Sequence, residues 1–454
     1  MIPSKNLDYE YDEFLKSSEP EIIRAIPAYL KNLEKIGPKY GRFPIPTFYK
    51  PHWMSADQEL MLKRASSTLN AVAGVAIRLY FEERHFSSLF QISPEIRELI
   101  QIDPGYSKGI VFGRFDGLLE GQSFKLLGFN SDVSAGSAYA DHFEKALLEE
   151  LPLAGFFKEN QVKRTMRVQN ILDMLLEVYE EFGGLETPRI AIVDWRNART
   201  LHEFELLKVF FESKGYKTTI ADPRELKYKG GKLYHKDFRI DMILRRASLE
   251  ELVEKLDEIQ DLIKAYRDRA VCMVNPLRSW LASTQTILSI LTNPEYDHFF
   301  TENENKIKRE CIPWTRSISD AEAFYRGKKS YLIDFLKDEK ESLVIKPMPS
   351  HAGKGILIGK ETRDQDWNEA IDRAIKENWV LQEYVNVPLM TVPEIVNKKL
   401  DFAYKRYNFN ALVFGGKYAG GFVKLSQESV VNAARSGGFI PSLTADSAPE
   451  RWNS

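Results

Sequence analysis

The stretch Leu343–Gly359, LVIKPMPSHAGKGILIG, holds the pattern that most constrains the architecture of the chain. A β-branched run ends in Lys346, a loop of small residues follows, and a second apolar run covers Ile356–Ile358. This order predicts two strands joined by a flexible loop that grips phosphate, because glycine lets backbone N–H groups approach an anion and serine adds a hydroxyl. The candidate phosphate ligands are Lys346, Ser350, Gly353, Lys354 and Gly355. A plain hairpin with a glycine turn is the alternative that this stretch alone leaves open.

A helix and a third strand are predicted after this hairpin. Apolar residues at helical spacing mark one face of a helix over Trp367–Lys376, namely Trp367, Ile371, Ala374 and Ile375. The run WVLQEYV, Trp379–Val385, predicts a strand whose end can offer backbone donors and acceptors to an adenine edge. The candidate adenine-contacting residues are Gln382, Glu383, Tyr384 and Val385. Lysine strand, glycine loop, helix and closing strand together resemble the nucleotide-binding half of an ATP-grasp enzyme, and this resemblance implies an ATP site.

Composition and charge are ordinary for a globular protein. The chain has 454 residues, of which 43% are hydrophobic and 28% charged, and this predicts two or three domains with large cores. The formal net charge of −2 leaves no basic excess for binding nucleic acid. Because Cys272 and Cys311 form no CxxC pair, neither a cysteine zinc site nor a disulfide framework is predicted. No signal-peptide pattern occurs and no apolar run approaches the ~20 residues of a membrane span, so we expect a cytoplasmic protein with no membrane partner.

A second predicted hairpin carries charged residues near one end of its strands. The strands Ile110–Asp116 and Phe124–Asn130 flank a turn at Glu120–Gly121. Strand pairing should bring four polar side chains near one sheet end, namely Arg114, Asp116, Asn130 and Asp132. Oxygen ligands of this kind suit Mg²⁺, and an arginine suits anionic oxygens. A solvated hairpin with ordinary turn residues is the alternative.

Three further segments predict regular structure without a motif. Ser55–Gln58 has the pattern of a capping box and should open a helix that continues to about Arg84. The run Leu281–Leu291 predicts a helix, and Arg406–Leu425 predicts two strands separated by Gly415–Gly416.

A strand–helix–strand unit is predicted between the two hairpins. It consists of a buried parallel strand at Arg189–Trp195, a helix over Leu201–Lys214 and a strand at Tyr216–Ala221. This is a small Rossmann-like unit, and because it lacks a GxGxxG turn it is not a dinucleotide site. The next strand, Asp241–Arg246, ends in two arginines that are either anion-binding candidates or an exposed basic pair.

The order of the motifs is unusual, since the candidate metal hairpin lies far N-terminal to the phosphate hairpin. This order resembles the circularly permuted ATP-grasp ligases similar to the synthetase domain of glutathionylspermidine synthetase. There one strand carries Arg-x-Asp and its partner Glu-x-Asn, and these residues touch metal and phosphates. The resemblance therefore implies that Arg114 and Asp116 are catalytic and that Asp116 and Asn130 hold Mg²⁺. It also implies a catalytic role at the acyl centre for Arg435, which lies in a C-terminal glycine loop.

The same resemblance implies a fold and a domain organisation. The expected fold is α/β (α+β), a circularly permuted ATP-grasp core with a small Rossmann-like domain inserted. We expect an N-terminal helical segment with the metal hairpin at 1–186, the Rossmann-like domain at 187–275 and the nucleotide-binding part at 276–454.

Two positions depart from the family's pattern. Gly128 stands where the family has the glutamate of Glu-x-Asn, and Gln285 stands where it has a lysine near a helix start. The first change removes a carboxylate that would bridge Mg²⁺, and the second removes a phosphate contact. Asp132 is close enough in sequence to replace the carboxylate.

The implied function is an ATP-dependent ligase that uses Mg²⁺ and joins a carboxylate to an amine or thiol through an acyl phosphate. Its partners would be small-molecule or peptide-like substrates. Because phosphoryl transfer depends on positioned charge, the two departures leave open a nucleotide-binding pseudoenzyme or regulatory protein. A kinase-like phosphotransferase on the same fold is a third possibility.

Overall fold

The computed structural model describes residues 7–318, 322–325, 328–347, 355–377, 379–431 and 437–445. The α-helices in chain order are α1 (Leu7–Ser17), α2 (Glu19–Ile36), α3 (Ala56–Glu82), α4 (Arg84–Leu89), α5 (Pro94–Gln101), α6 (Ser137–Leu148), α7 (Ala154–Glu159), α8 (Arg167–Glu181), α9 (Leu201–Ser213), α10 (Leu249–Glu254), α11 (Gln260–Arg267), α12 (Trp280–Ser283), α13 (Thr286–Leu291), α14 (Glu302–Cys311), α15 (Leu332–Asp338) and α16 (Asp364–Glu377).

The strands in chain order are β1 (Lys39–Tyr40), β2 (Phe43–Pro44), β3 (His52–Ser55), β4 (Phe112–Glu120), β5 (Ser123–Asn130), β6 (Val162–Lys163), β7 (Ile190–Val193), β8 (Thr218–Ala221), β9 (Leu226–Lys229), β10 (Lys232–His235), β11 (Phe238–Ile240), β12 (Met242–Arg245), β13 (Cys272–Val274), β14 (Thr315–Ser317), β15 (Glu322–Tyr325), β16 (Lys328–Tyr331), β17 (Leu343–Lys346), β18 (Leu357–Ile358), β19 (Val380–Glu383), β20 (Leu389–Val396), β21 (Lys399–Phe414), β22 (Lys417–Ser426) and β23 (Gly438–Ala445).

A large sheet in the order β3-β23-β22-β21-β4-β5 forms the centre of the molecule. The long helix α3 packs over one of its faces, and the predicted capping box is confirmed because the side chains of Ser55 and Gln58 each bond the other residue's backbone N–H. The apolar stripe of α3 is buried as predicted, at Leu62, Ala65, Leu69, Val72, Ala76 and Leu79. The predicted strands on either side of Gly415–Gly416 are also confirmed, as β21 and β22.

The opposite face of the large sheet is apolar at one end and polar at the other. Along β21, alternate residues share a face, and Leu412 and Phe414 belong to a core that also contains side chains of α6 and α8. Asn408 and Asn410 continue the same row of positions toward the polar end. This polar end carries the candidate site.

A smaller antiparallel sheet in the order β14-β19-β17-β18 holds the predicted phosphate hairpin. The pairing of Val344 with Ile358 confirms that β17 and β18 form two adjacent strands. The predicted helix is confirmed as α16, which buries Trp367 against this sheet. Ile375, predicted on the buried face, is 42% exposed because it lies at the margin of that face near the helix end.

A parallel sheet in the order β13-β12-β7-β8 contains the predicted strand–helix–strand unit. β7 pairs in parallel with both β8 and β12, and α9 connects β7 to β8. The interpretation of Arg245 and Arg246 as an exposed pair is wrong, since they are 1% and 6% exposed. Carboxylates from distant parts of the chain cover them.

The helix predicted over Leu281–Leu291 is interrupted. α12 ends at Ser283 and α13 begins at Thr286, so Gln285 lies at the break. Among the described residues, none of the helices combines the length and the apolar character that crossing a membrane requires.

Candidate functional site

Three adjacent strands align the central residues of the candidate site. Asp116 on β4 pairs with Gly128 on β5 and, on its other side, with Asn410 on β21. Directly opposed residues of antiparallel strands share a face and bring their Cβ atoms within ~5 Å. Arg114 and Asn130 form the neighbouring pair on the same face. The structure thus brings together Arg114, Asp116 and Asn130.

The carboxylate of Asp116 is surrounded by cations. Nε of Arg114 donates to its Oδ1 at 2.6 Å, Nη2 of Arg114 donates to its Oδ2 at 3.0 Å, and Nζ of Lys424 lies 3.6 Å from Oδ2. Burial favours the neutral acid, but the charges of Arg114 and Lys424 outweigh it and hold the pKa of Asp116 below its usual range. Asp116 is therefore ionised at neutral pH.

Lys424 is a site residue that the sequence patterns did not indicate. It lies on β22 and belongs to no motif, so its place follows only from the register of β22 with β21. Burial and the nearby guanidinium of Arg114 lower its pKa to about 8, although Asp116 acts in the opposite direction. It adds a second cation beside Asp116.

Lys346 connects the smaller sheet to the large one. It is 6% exposed, and its Nζ donates to the carbonyl of Leu127 at 2.9 Å and to Oε1 of Gln382 at 2.6 Å. Both acceptors are neutral, and burial lowers the pKa of Lys346 to about 7. Because Leu127 precedes Gly128, the ammonium group lies beside the row that contains Asp116. An anion bound here would stabilise its charged form.

Residues of the stretch predicted to contact adenine form hydrogen bonds that hold the smaller sheet together. Gln382 accepts from Lys346 and donates to Oγ1 of Thr315 at 3.0 Å, so its side chain positions the lysine. The backbone N–H of Glu383 donates to Trp314 at 2.8 Å, and that of Tyr384 donates to Ser342 at 2.7 Å. These two donors serve the sheet. Val385 follows them directly in the chain.

Gly128 and Gln285, the two positions where the resemblance implies a glutamate and a lysine, lie next to each other. A Cβ atom built on Gly128 would lie 3.3 Å from Nε2 of Gln285. Among the described residues, apart from Gly128 and its two chain neighbours, no other atom lies within 4 Å of it. The break between α12 and α13 places Gln285 at this point. Its Oε1 is buried and has no hydrogen-bond partner among the described residues. A glutamate at position 128 and a lysine at position 285 would therefore share one small volume.

Asp132 is committed to a different interaction. Its Oδ1 accepts from Arg245 at 2.6 Å, and its Oδ2 accepts from the backbone N–H of Leu249 at 2.8 Å. Arg246 similarly pairs with Glu203 at 3.2 Å. These contacts join the parallel sheet to the loop after β5. The two arginines are neutralised, and the carboxylate of Asp132 does not replace the one missing at Gly128.

The donor set suits a Mg²⁺ ion that is shared with a nucleotide. Within the described ranges, no three His, Cys, Asp or Glu side chains are grouped so that they could hold a metal. From the part of the chain that the structure describes, the site offers one carboxylate, that of Asp116, and the amides of Asn130 and Asn410. Among the same residues, the buried Oδ1 of Asn410 has no hydrogen-bond partner. Mg²⁺ is commonly held by one or two carboxylates together with substrate phosphates. The residues fit that arrangement.

Several predicted residues cannot be placed. Ser350, Gly353, Lys354 and Arg435 lie outside the described residues. Gly355 is described, and its φ of +74° lies in the left-handed region. A Cβ atom there would also lie 2.8 Å from Cγ of Pro347, so the turn back into β18 requires glycine.

Comparison with known structures shows the fold. A glutathione synthetase-like effector from Globodera pallida, solved in its apo form, has 11% identity and a TM-score of 0.60, with 90% of this chain and 93% of that chain covered. The chain therefore shares the overall fold of that effector. A putative γ-glutamylcysteine synthetase from Methylobacillus flagellatus has 11% identity and a TM-score of 0.40, covering 84% and 85% of the two chains. D-alanyl-alanine synthetase A from Vibrio cholerae has 11% identity and a TM-score of 0.26, covering 50% and 68%. No family model and no curated protein matches the chain.

Proposed function

We propose that this protein is an ATP-dependent ligase that joins a carboxylate to an amine or a thiol. A fold similar to that of ATP-grasp-like synthetases supports this class. The observation that carries the proposal is the position of Lys346, whose buried ammonium group reaches the strand next to Asp116 and bonds only neutral acceptors among those described. A phosphate chain between the two sheets would supply the missing negative charge.

The residues have separate roles in this proposal. Lys346, Arg114 and Lys424 hold and neutralise the phosphates, and Gln382 positions Lys346. Asp116 and Asn130 hold Mg²⁺, which offsets the charge that develops during phosphoryl transfer. Arg435 is proposed to act at the acyl centre. The proposed phosphate contacts of the loop are Ser350, Gly353 and Lys354. The adenine lies against the strand end at Tyr384 and Val385.

The reaction is proposed in two steps. A carboxylate oxygen of the first substrate attacks the γ-phosphorus, and ADP leaves with the electrons of the broken P–O bond. The lone pair of the amine then attacks the acyl carbon, phosphate leaves with the electrons of the C–O bond, and the nitrogen gives up a proton. Arg114 and Lys424 stabilise the transferring phosphoryl group because they are fixed before the reaction begins. The substrates are small molecules or peptide-like acids and amines.

We also propose the finer assignment of the fold. The hairpin β4–β5 lies N-terminal to the hairpin β17–β18, and this order supports a circularly permuted ATP-grasp core that resembles the synthetase domain of glutathionylspermidine synthetase. In this assignment the parallel sheet within 187–275 is an inserted Rossmann-like domain, and 1–186 and 276–454 supply the two parts of the core.

The test is an incubation of the protein with ATP, Mg²⁺ and panels of acids and amines. ADP formation that requires both substrates, with an amide as product, is the result expected of a ligase. Hydroxylamine replaces the amine in a parallel reaction, where it should trap the acyl phosphate as a hydroxamate. The Asp116→Asn variant, prepared in the same way, controls for a contaminating ATPase. A stable phosphorylated product in place of the amide would indicate a kinase and contradict the proposal.

A nucleotide-binding protein without turnover is the second candidate. The contact between Gly128 and Gln285 favours it, because two charged groups of the ligase pattern are absent from one volume. ATP binding without ADP formation, across the full substrate panel, would support this candidate over the ligase.

A further inference from the structure

Asn410 has an unpaired oxygen in the interior of the site face. The residue is 0% exposed, and its Nδ2 donates to the carbonyl O of Asn408 at 3.3 Å and to Oδ1 of Asn408 at 3.0 Å. Because a carbonyl oxygen only accepts hydrogen bonds, the amide nitrogen of Asn410 must face it, and this fixes the orientation of the group. Oδ1 of Asn410 is then directed elsewhere, and it has no hydrogen-bond partner among the described residues.

The position of Asn410 mirrors that of Gly128. Asp116 lies between them in one row across the sheet, with Gly128 opposite it on β5 and Asn410 opposite it on β21. Residues that oppose each other on neighbouring antiparallel strands have Cβ atoms ~4.5–5.5 Å apart. A ligand to Asp116 therefore lies within reach of a side chain at either opposed position, Asn410 or Gly128.

The chemistry of the unpaired atom points to a cation. A buried amide oxygen is unfavourable unless a hydrogen-bond donor or a metal ion reaches it. Amide and carboxylate oxygens together are a normal ligand set for a hard divalent cation. We propose that Asn410 supplies, through Oδ1, an oxygen ligand to Mg²⁺ at Asp116 in place of the carboxylate that Gly128 lacks. This inference rests on the proposed function, since it names a further residue of the same site.

Mn²⁺ is the probe for the test because its free ion is observed directly by electron paramagnetic resonance. The wild-type protein and two variants, Asn410→Asp and Asn410→Leu, are titrated with Mn²⁺, first alone and then with a non-hydrolysable ATP analogue. Asn410→Asp should tighten Mn²⁺ binding because it replaces an amide oxygen with a charged ligand. Asn410→Leu keeps the volume but removes the oxygen, and it should weaken Mn²⁺ binding by ~10-fold or more.

Asn305 provides a matched control. Its Nδ2 donates to two backbone carbonyls, of Asp297 at 2.9 Å and of Phe300 at 3.4 Å, and its buried Oδ1 has no partner among the described residues. It lies on α14, outside the strands β4, β5 and β21 that form the row of Asp116. Asn305→Asp should leave the Mn²⁺ affinity unchanged, and equal tightening by both aspartates would overturn the assignment.

Binding of the ATP analogue in EDTA separates the two claims. If the wild type binds the analogue and Asn410→Leu binds Mn²⁺ as tightly as the wild type does, the role of Asn410 is wrong and the nucleotide site stands. If the wild type does not bind the analogue, the proposed function fails, and the titrations with Mn²⁺ alone still decide the role of Asn410. Absence of Mn²⁺ binding in both titrations overturns the role as well. Melting curves show which variants are folded, and either variant alone suffices for the decision.

Discussion

Arg167 is buried and the cations of the site face are largely buried, but the protein neutralises them differently. Arg167 is the first residue of α8 and points toward α6 and the large sheet, where Glu144 accepts from it at 2.6 Å and Asp141 at 3.0 Å. On the site face, Arg114 and Lys424 share one described carboxylate, that of Asp116.

Other cations in the interior follow the pattern of Arg167. Lys50 pairs with Asp8 and Asp12, and Arg245 pairs with Asp132. Where a cation only holds the fold together, the chain thus supplies a counter-charge. The excess positive charge around Asp116, together with Lys346, is available to a ligand, as is common at functional sites.

The largest expected effect is on stability, in the region around Arg167, where carboxylates of the chain itself neutralise the buried cation. Glu144→Gln removes one of the two carboxylates that contact Arg167 and leaves a buried charge under-compensated. We expect the free energy of unfolding to fall by about 3 kcal/mol, the lower end of the range for broken buried pairs. Urea unfolding measures this change. The affinity for ATP should be unaltered, and a loss of ATP binding in the folded variant would contradict the division into two regions.

Asp116→Asn alters the site instead. It removes the central carboxylate while keeping the size of the side chain, so Mg²⁺-dependent ATP turnover should fall by ~10²-fold or more. Affinity for ATP in the absence of Mg²⁺ should be kept or should increase, because Arg114 and Lys424 lose their anionic partner. Steady-state ADP release over a Mg²⁺ titration and calorimetry in EDTA measure the two quantities. Full turnover by the folded variant would remove Asp116 from the chemistry.

Lys346→Met tests whether positive charge at the site serves a ligand. The lysine bonds neutral acceptors, so the variant leaves no buried carboxylate unpaired. We expect ATP affinity to fall by ~10-fold or more, the loss that corresponds to a hydrogen bond with a charged group. Thermal stability without nucleotide should stay the same or rise. A large loss of stability with unchanged ATP affinity would show that Lys346 stabilises the fold and does not bind a ligand.

The pH dependence of Lys346 provides a finer test. Its pKa is lowered by burial from 10.5 to about 7, so between these values the unfolded chain binds more protons than the folded one. The contribution of Lys346 to stability should therefore rise with pH across this window. The unfolding free energy of the wild type should therefore rise relative to that of Lys346→Met as the pH increases across this window. A difference between the two proteins that does not depend on pH would contradict the lowered pKa. ATP binding near pH 8 should take up protons, which calorimetry in buffers of different ionisation enthalpy detects.

The smallest expected effect comes from restoring the family pattern. In Gly128→Glu the new Cβ atom would lie 3.3 Å from Nε2 of Gln285, so the flexible amide of Gln285 must move slightly for the strand to accept the side chain. Combined with Gln285→Lys, it should raise Mg²⁺-dependent turnover if the missing groups limit the wild type. The double variant should exceed both single variants, because the two side chains share one volume. Lower turnover in all three would show that the present pair is the functional arrangement.

Local patterns predicted much of the architecture. The capping box at Ser55, the strand alternation and the turn at Gly415–Gly416 depend on neighbouring residues, and those elements form as expected. Features that depend on distant partners could not be predicted in this way. Arg245 is buried with Asp132, which reaches it from the loop after β5, and Lys424 joins the site only through the register of β22. The break before Gln285 also has no local sequence signal.

The hydrogen bonds from Lys346 to the carbonyl of Leu127 and to Oε1 of Gln382 use two of the three donors of its ammonium group. Under the proposed function, a phosphate oxygen would take the third donor or would compete with the carbonyl of Leu127. A neutral group competes poorly with a carbonyl for an ammonium donor, whereas a charged phosphate forms the stronger bond. We expect the site to discriminate against adenosine in favour of its phosphorylated forms, because the protein carries its own weak competitor.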